Sequence, residues 1–124
     1  MASTDRVVLV VEDEPLILLN TIDDLEGAGF QPIEAMRAEI ALKILEGRDD
    51  ITHLFTDVDL PGMDGLQLAA LVREKWPHIR ILLTSGHMLP RSFLVPEGMA
   101  FLPKPYDIAA VLAEIAKPVA GVNV

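Results

Sequence analysis

Apolar runs in this 124-residue chain end in residues able to handle phosphate or a metal ion. Glu12 and Asp13 follow Val7 to Val11, Asp57 follows Leu54 and Phe55, Ser85 follows Ile81 to Leu83, and Lys104 follows Phe101 and Leu102. Buried parallel strands read as continuous apolar runs, and open α/β sheets bind ligands outside the carboxyl ends of their strands. Three carboxylates, a hydroxyl and an ammonium would therefore share one crevice. Two carboxylates about 4 Å apart repel by roughly 4 kcal/mol at an effective dielectric of about 20, so the cluster needs protons or a cation. With no cysteine in the chain, an all-oxygen donor set favours Mg²⁺, or Mn²⁺ in its place. Asp57 can then attack phosphorus as a carboxylate nucleophile. The metal and Lys104 would neutralise the equatorial oxygens, and Ser85 would donate its hydroxyl to them. A phosphoryl of about −1.5 to −2 charges on Asp57 would draw Ser85 and its loop inward, the behaviour of a switch rather than a turnover enzyme.

Alternating strands and helices must deliver these residues, and the pattern repeats as (βα)5 from Arg6 onward. Val7 to Val11 is the first strand; Pro15 opens a helix whose stripe is Leu16, Leu19, Ile22 and Leu25, ending near Gly27 and Gly29. Phe30 to Glu34 is the second strand, and Pro32 places it at a sheet edge because proline cannot donate to a ladder. A helix over Ala38 to Glu46 presents Ile40, Ala41, Ile44 and Leu45, and strand three is Thr52 to Thr56. The turn cluster Pro61, Gly62, Asp64 and Gly65 precedes a helix with the stripe Leu68, Leu71, Val72 and Trp76. Strands four and five are Arg80 to Thr84 and Met99 to Leu102; Pro90 and Pro96 leave room between them for only a brief helix. Ile108, Val111, Leu112 and Ile115 give the last helix its apolar face before Pro118. Such alternation predicts a parallel sheet with right-handed crossovers and helices on both faces.

Composition bounds the function. At 51% apolar residues and 124 in all, the chain is expected to form one domain with one core, its body spanning about 6–117, and no output domain after it. The absence of cysteine fits a reducing compartment, and the cytoplasm is the expected location. The run from Val7 is too short for a signal sequence or membrane span. A net charge of −9 without a basic stripe opposes direct nucleic-acid binding. His53 and His78 flank strands and read as surface or strand-entry residues, and Trp76 as core.

Four motifs in register resemble the receiver domain of two-component response regulators: Glu12-Asp13, Asp57-Val58-Asp59-Leu60-Pro61-Gly62-Met63-Asp64-Gly65, Thr84-Ser85-Gly86-His87 and Phe101-Leu102-Pro103-Lys104-Pro105-Tyr106. The match runs from Val7 to Ala116. The resemblance implies a CheY-like, flavodoxin-like α/β fold with strand order 2-1-3-4-5. It implies that Asp57 accepts phosphoryl from a histidine kinase or histidine phosphotransfer protein. Asp13, Asp57 and the backbone carbonyl of Asp59 would ligate Mg²⁺, with Glu12 acting through water. Ser85 and Lys104 would contact the phosphoryl group, a cis bond would join Lys104 to Pro105, and Phe101 would be the aromatic switch. His87 and Asp59 occupy positions that tune phosphoryl lifetime. The chain departs from the family in Glu12 for the more frequent Asp, in a short Ser85–Lys104 interval that implies a stunted or displaced fourth helix, and in Phe101 for the frequent Tyr.

The resemblance also implies output through an unnamed partner protein, and the last helix is a candidate surface for a phosphorylation-dependent homodimer. Two other readings compete. Asp57-Val58-Asp59 fits the nucleophile motif of haloacid-dehalogenase-like phosphatases, but these place it at the first strand, and Pro61 stands where they carry Thr or Val. The other is a degenerate receiver kept as a protein-binding scaffold.

Overall fold

The computed structural model describes residues 6–87 and 94–118. Its elements are β1 (Val7–Val11), α1 (Pro15–Gly27), β2 (Gln31–Ala35), α2 (Ala38–Gly47), β3 (His53–Asp57), α3 (Gly65–Lys75), β4 (Arg80–Ser85), β5 (Met99–Pro103) and α4 (Ile108–Ala116). All strand pairs are parallel, in the order β2-β1-β3-β4-β5. This is the expected 2-1-3-4-5 sheet with Pro32 at its edge, opposite Val8. The brief helix expected between β4 and β5 falls largely on residues 88–93, outside the described residues, and four helices lie within them. Among the described residues no helix is long and apolar enough to cross a membrane.

Alternation along the strands splits the core in two. Leu9, Val11, Leu54, Ile81 and Leu83 point to one face, where Ala38, Ala41 and Leu45 of α2 and Leu68 and Val72 of α3 cover them. Val8, Val10, Phe55 and Leu82 point to the other, covered by Leu18 and Leu25 of α1 and Val111 and Ile115 of α4. Each fully buried side chain of this size contributes about 1.5–3 kcal/mol relative to exposure, so the two layers hold the strand ends firmly in register.

The buried helix faces differ in part from the expected stripes. In α1 the buried residues are Leu18, Thr21 and Leu25, whereas Leu16 is 75% and Leu19 55% exposed. In α2 the expected Ala41 and Leu45 are buried and Ile44 packs against the core, but Ile40 is exposed and Ala38 is buried instead. Trp76 is half-buried against the rim of the core rather than inside it. Pro15 at the first turn of α1 and Asp64 capping α3 set the helix starts; Asp64 Oδ1 accepts from the Gln67 N–H while Gln67 Oε1 accepts from the Asp64 N–H.

His53 is fully buried at the start of β3, not on the surface. Its Nδ1 bonds Thr52 Oγ1 at 2.8 Å, and among the described residues Nε2 has no partner. Burial, with Arg6 and Arg80 nearby, lowers its pKa from 6.5 to about 4. Arg80 is itself paired with Glu114 of α4, and Arg6 donates to the Ile115 carbonyl. Between pH 6.5 and 4 the unfolded chain takes up this proton and the folded one does not. Stability from this residue is therefore intact at pH 7 and falls by about 3 kcal/mol as the pH drops to 4. Urea midpoints at pH 7 and 4.5 test this: His53→Leu should lose clearly less stability on acidification than wild type, and equal losses would exclude His53 as the source.

Candidate phosphoacceptor site

Strand register assembles the site. Val11 lies beside Thr56, Asp57 beside Thr84, and Ser85 beside Pro103, so residues 12, 57, 85 and 104 emerge at one end of adjacent strands. Backbone bonds continue the ladders outward: the Glu12 N–H donates to Ala35 O at 3.0 Å, Val58 N–H to Thr84 O at 2.7 Å, and Lys104 N–H to Ser85 O at 2.9 Å. The Lys104–Pro105 peptide bond is cis, as the resemblance implies.

Carboxylate oxygens of Glu12, Asp13 and Asp57 lie within 4.8 Å of one another. Lys104 Nζ sits 2.7 Å from both Glu12 Oε1 and Asp57 Oδ2 and is the internal counter-ion of the cluster. Burial alone would lower the Lys104 pKa; hydrogen bonds to Asp57 and Glu12 outweigh it and hold the ammonium charged. Burial raises the Glu12 carboxyl, against lowering hydrogen bonds from Lys104 and from the Glu14 N–H. With all groups ionised the three carboxylates and one ammonium carry −2, which one divalent cation would cancel. An all-oxygen donor set of this size and charge suits Mg²⁺.

Asp57 is held at both oxygens: Oδ1 accepts from the Asp59 N–H at 2.9 Å and Oδ2 from Lys104. Ser85 is buried, and its hydroxyl donates not toward Asp57 but to Asp59 Oδ2 at 2.6 Å. His87 Nδ1 lies 3.0 Å from the same oxygen. The Asp59 carboxyl is raised by burial, but bonds from His87 and Ser85 overcome this and leave it below its usual value. His87 is raised by its bond to Asp59. Phe101 is half-buried and packs against the core layer of α2 and α3.

Several contributors escaped sequence reasoning. Gly65, read only as a turn residue, begins α3 where a Cβ would lie 2.0 Å from the Asp57 carbonyl oxygen and 2.8 Å from Val58 Cα. Both are backbone atoms that cannot swing aside. Gly65→Ala should therefore cost about 3 kcal/mol in urea unfolding and displace the acceptor loop, lowering phosphodonor labelling. Wild-type stability together with wild-type labelling would refute that. Glu39 of α2 accepts from the Met63 N–H at 3.3 Å and so braces the loop after Asp57, and Tyr106 bonds Thr21 across the α1–β5 side. Glu39 gave no sequence signal; Asp64 and Gln67, four positions inclusive, were a legible capping box.

A family model described as the response regulator receiver domain matches residues 8–116. The response regulator protein FleR of Pseudomonas aeruginosa is 33% identical over 117 residues, covering 92% of this chain and 24% of FleR. Sensor kinase CckA of Brucella abortus is 32% identical over 112 residues, covering 86% of this chain and 12% of the kinase. The chain thus spans a quarter or less of these curated relatives. The crystal structure of response regulator TrrA from Thermotoga maritima, in complex with Mg²⁺ and BeF, superposes with a TM-score of 0.79 at 25% identity, over 89% of this chain and 96% of that one. Sequence, strand order and the acidic crevice converge: the chain belongs to the receiver-domain family of two-component response regulators.

Proposed function

We propose that this receiver takes a phosphoryl group onto Asp57 from the phosphohistidine of a sensor histidine kinase or a histidine phosphotransfer protein, and signals by changing shape. The observation that carries the reading is the Lys104 ammonium 2.7 Å from Asp57 Oδ2 and from Glu12 Oε1, beside Asp13. A bond forms between an Asp57 carboxylate oxygen and phosphorus as the donor's P–N bond breaks, and the electron pair leaves on the imidazole nitrogen. The Asp59 N–H and Lys104 hold the carboxylate ready for attack, and Lys104 then remains as a fixed cation for the phosphoryl oxygens. Glu12, Asp13, Asp57 and the Asp59 backbone carbonyl would hold Mg²⁺, with Mn²⁺ a substitute, and the bound ion supplies positive charge to the same oxygens.

Ser85 turns its hydroxyl to the phosphoryl group, and the Phe101 ring moves inward behind it. His87 and Asp59, at the mouth of the crevice, set how long the phosphoryl group lasts. The altered surface of the β4–β5 region and α4 is read by a downstream protein or by a second phosphorylated copy. A location in the cytoplasm, where histidine kinases present their phosphohistidine, is part of the same proposal.

Intact mass after incubation with acetyl phosphate, with and without Mg²⁺, tests the reading. A Mg²⁺-dependent gain of one phosphoryl group is expected. Catalytic phosphate release without an adduct would favour a hydrolase, and neither adduct nor release would favour a protein-binding scaffold.

A further inference from the structure

The Ser85 hydroxyl has one proton to donate, and it is already committed. Asp59 Oδ2 takes it at 2.6 Å, the length of a charge-assisted O–H···O⁻ bond. The other side of the hydroxyl accepts from the His87 N–H at 3.1 Å, and His87 Nδ1 reaches back to the same Asp59 oxygen at 3.0 Å. Asp59, Ser85 and His87 thus close a ring beside the phosphoacceptor. Among the described residues no hydrogen bond joins the Ser85 hydroxyl to the side chains of Asp57 or Lys104.

We infer that the Asp59 carboxylate is a latch that holds the switch hydroxyl of Ser85 away from the phosphoryl position. Asp59 is thereby a positioning residue for the switch, acting through Ser85. The inference rests on the reading of Asp57 as phosphoacceptor and deepens it. A hydroxyl with one proton cannot serve Asp59 and a phosphoryl oxygen at once. Reaching the signalling state therefore requires this bond to break, and the strength of the bond sets part of the resting equilibrium.

The burial pattern suits a releasable bond. Ser85 is 1% exposed, whereas the side chains of Asp59 and His87 are 38% and 80% exposed. The hydroxyl is thus fixed in the protein while its acceptor stands at the rim, where water can take over solvation of the carboxylate once Ser85 leaves. The exposed His87–Asp59 pair adds little energy of its own; its part is to orient the carboxylate.

Beryllofluoride with Mg²⁺, a stable stand-in for the phosphoryl group, gives an equilibrium readout. A resting state held by one hydrogen bond to a carboxylate weakens apparent affinity for the ligand of the other state by about 3- to 10-fold. Asp59→Ala should therefore bind beryllofluoride about 3- to 10-fold more tightly than wild type. The gain should vanish in a Ser85→Ala background, and Asp59→Asn, which keeps an oxygen acceptor, should show less of it. Equal tightening with and without Ser85 would mean that Asp59 acts only through its charge, and unchanged or weaker binding in Asp59→Ala would also overturn the latch.

A second readout needs no phosphoryl chemistry. In the resting protein the backbone ¹⁵N–¹H resonance of His87, whose N–H donates to Ser85 Oγ, should shift clearly further in Asp59→Ala than when the same change is made on Ser85→Ala, where only the direct loss of the His87–Asp59 contact remains. If wild type fails to bind beryllofluoride, the proposed function falls, and the latch is then judged on this resonance alone: no Ser85-dependent shift refutes it.

Discussion

Asp57→Asn loses Mg²⁺-dependent labelling by acetyl phosphate by at least about 1000-fold, because the amide offers no anionic oxygen to attack phosphorus. The fold should survive. Asp57 lies within 4.8 Å of the Glu12 and Asp13 carboxylates, a repulsion of about 3 kcal/mol for each pair at an effective dielectric of about 20. Its attraction to Lys104 at 2.7 Å is about 6 kcal/mol on the same scale, so the losses and gains nearly cancel. The melting temperature should move by less than about 5 °C. Intact mass and a thermal melt on the same sample check both parts, and an adduct formed at an unchanged rate would place the acceptor elsewhere.

Lys104→Ala should separate phosphorylation from its consequence. Removing the ammonium takes the ionised cluster from −2 to −3 and leaves Glu12 and Asp57 facing one another without their shared partner. Stranding such buried charge costs about 3 kcal/mol in buffer free of divalent ions. Glu12, already raised by burial, should be pushed further up. Added Mg²⁺ should restore more stability to this variant than to wild type, because a cation now replaces the missing one. With Mg²⁺ and beryllofluoride bound, the amide shifts that wild type shows around Ser85 and Phe101 should be lost. Shifts equal to those of wild type would remove Lys104 as the coupling element.

The centre of the sheet was legible because β1, β3 and β4 are buried on both faces. Val7 to Val11 and Ile81 to Leu83 have no polar interruption, and a proline in β2 left only the edge for that strand. Helix phase was harder to read. Leu16, Ile17, Leu18 and Leu19 are consecutive apolar residues, so several stripes fit, and contact with the sheet selects Leu18 while leaving Leu16 and Leu19 in solvent. His53 misled for a similar reason: a polar residue at a strand entry is usually solvated, yet here the packing of β3 between β1 and β4 buries it.

The site divides along the same line. Glu12, Asp13, Asp57 and Lys104 were readable as strand-end residues, since register alone brings them together. The partner of Ser85 was not readable. It depends on how the loop after β3 turns, with the Asp59 N–H tied to Asp57 and its carboxylate swung toward β4. Gly65 was legible as a glycine in a turn cluster but not as a position where the Asp57 carbonyl leaves no room for a Cβ, because that crowding requires the path of α3.

The most direct test of the account is to locate the phosphoryl group. Wild-type protein charged with acetyl phosphate and Mg²⁺ is reduced with borohydride, which converts an aspartyl phosphate to homoserine, and its peptides are weighed. The account predicts homoserine at Asp57 alone, in an amount that follows the phosphoryl adduct in the intact protein. Homoserine at Asp13, Asp59 or any other carboxylate, with Asp57 unchanged, would contradict it.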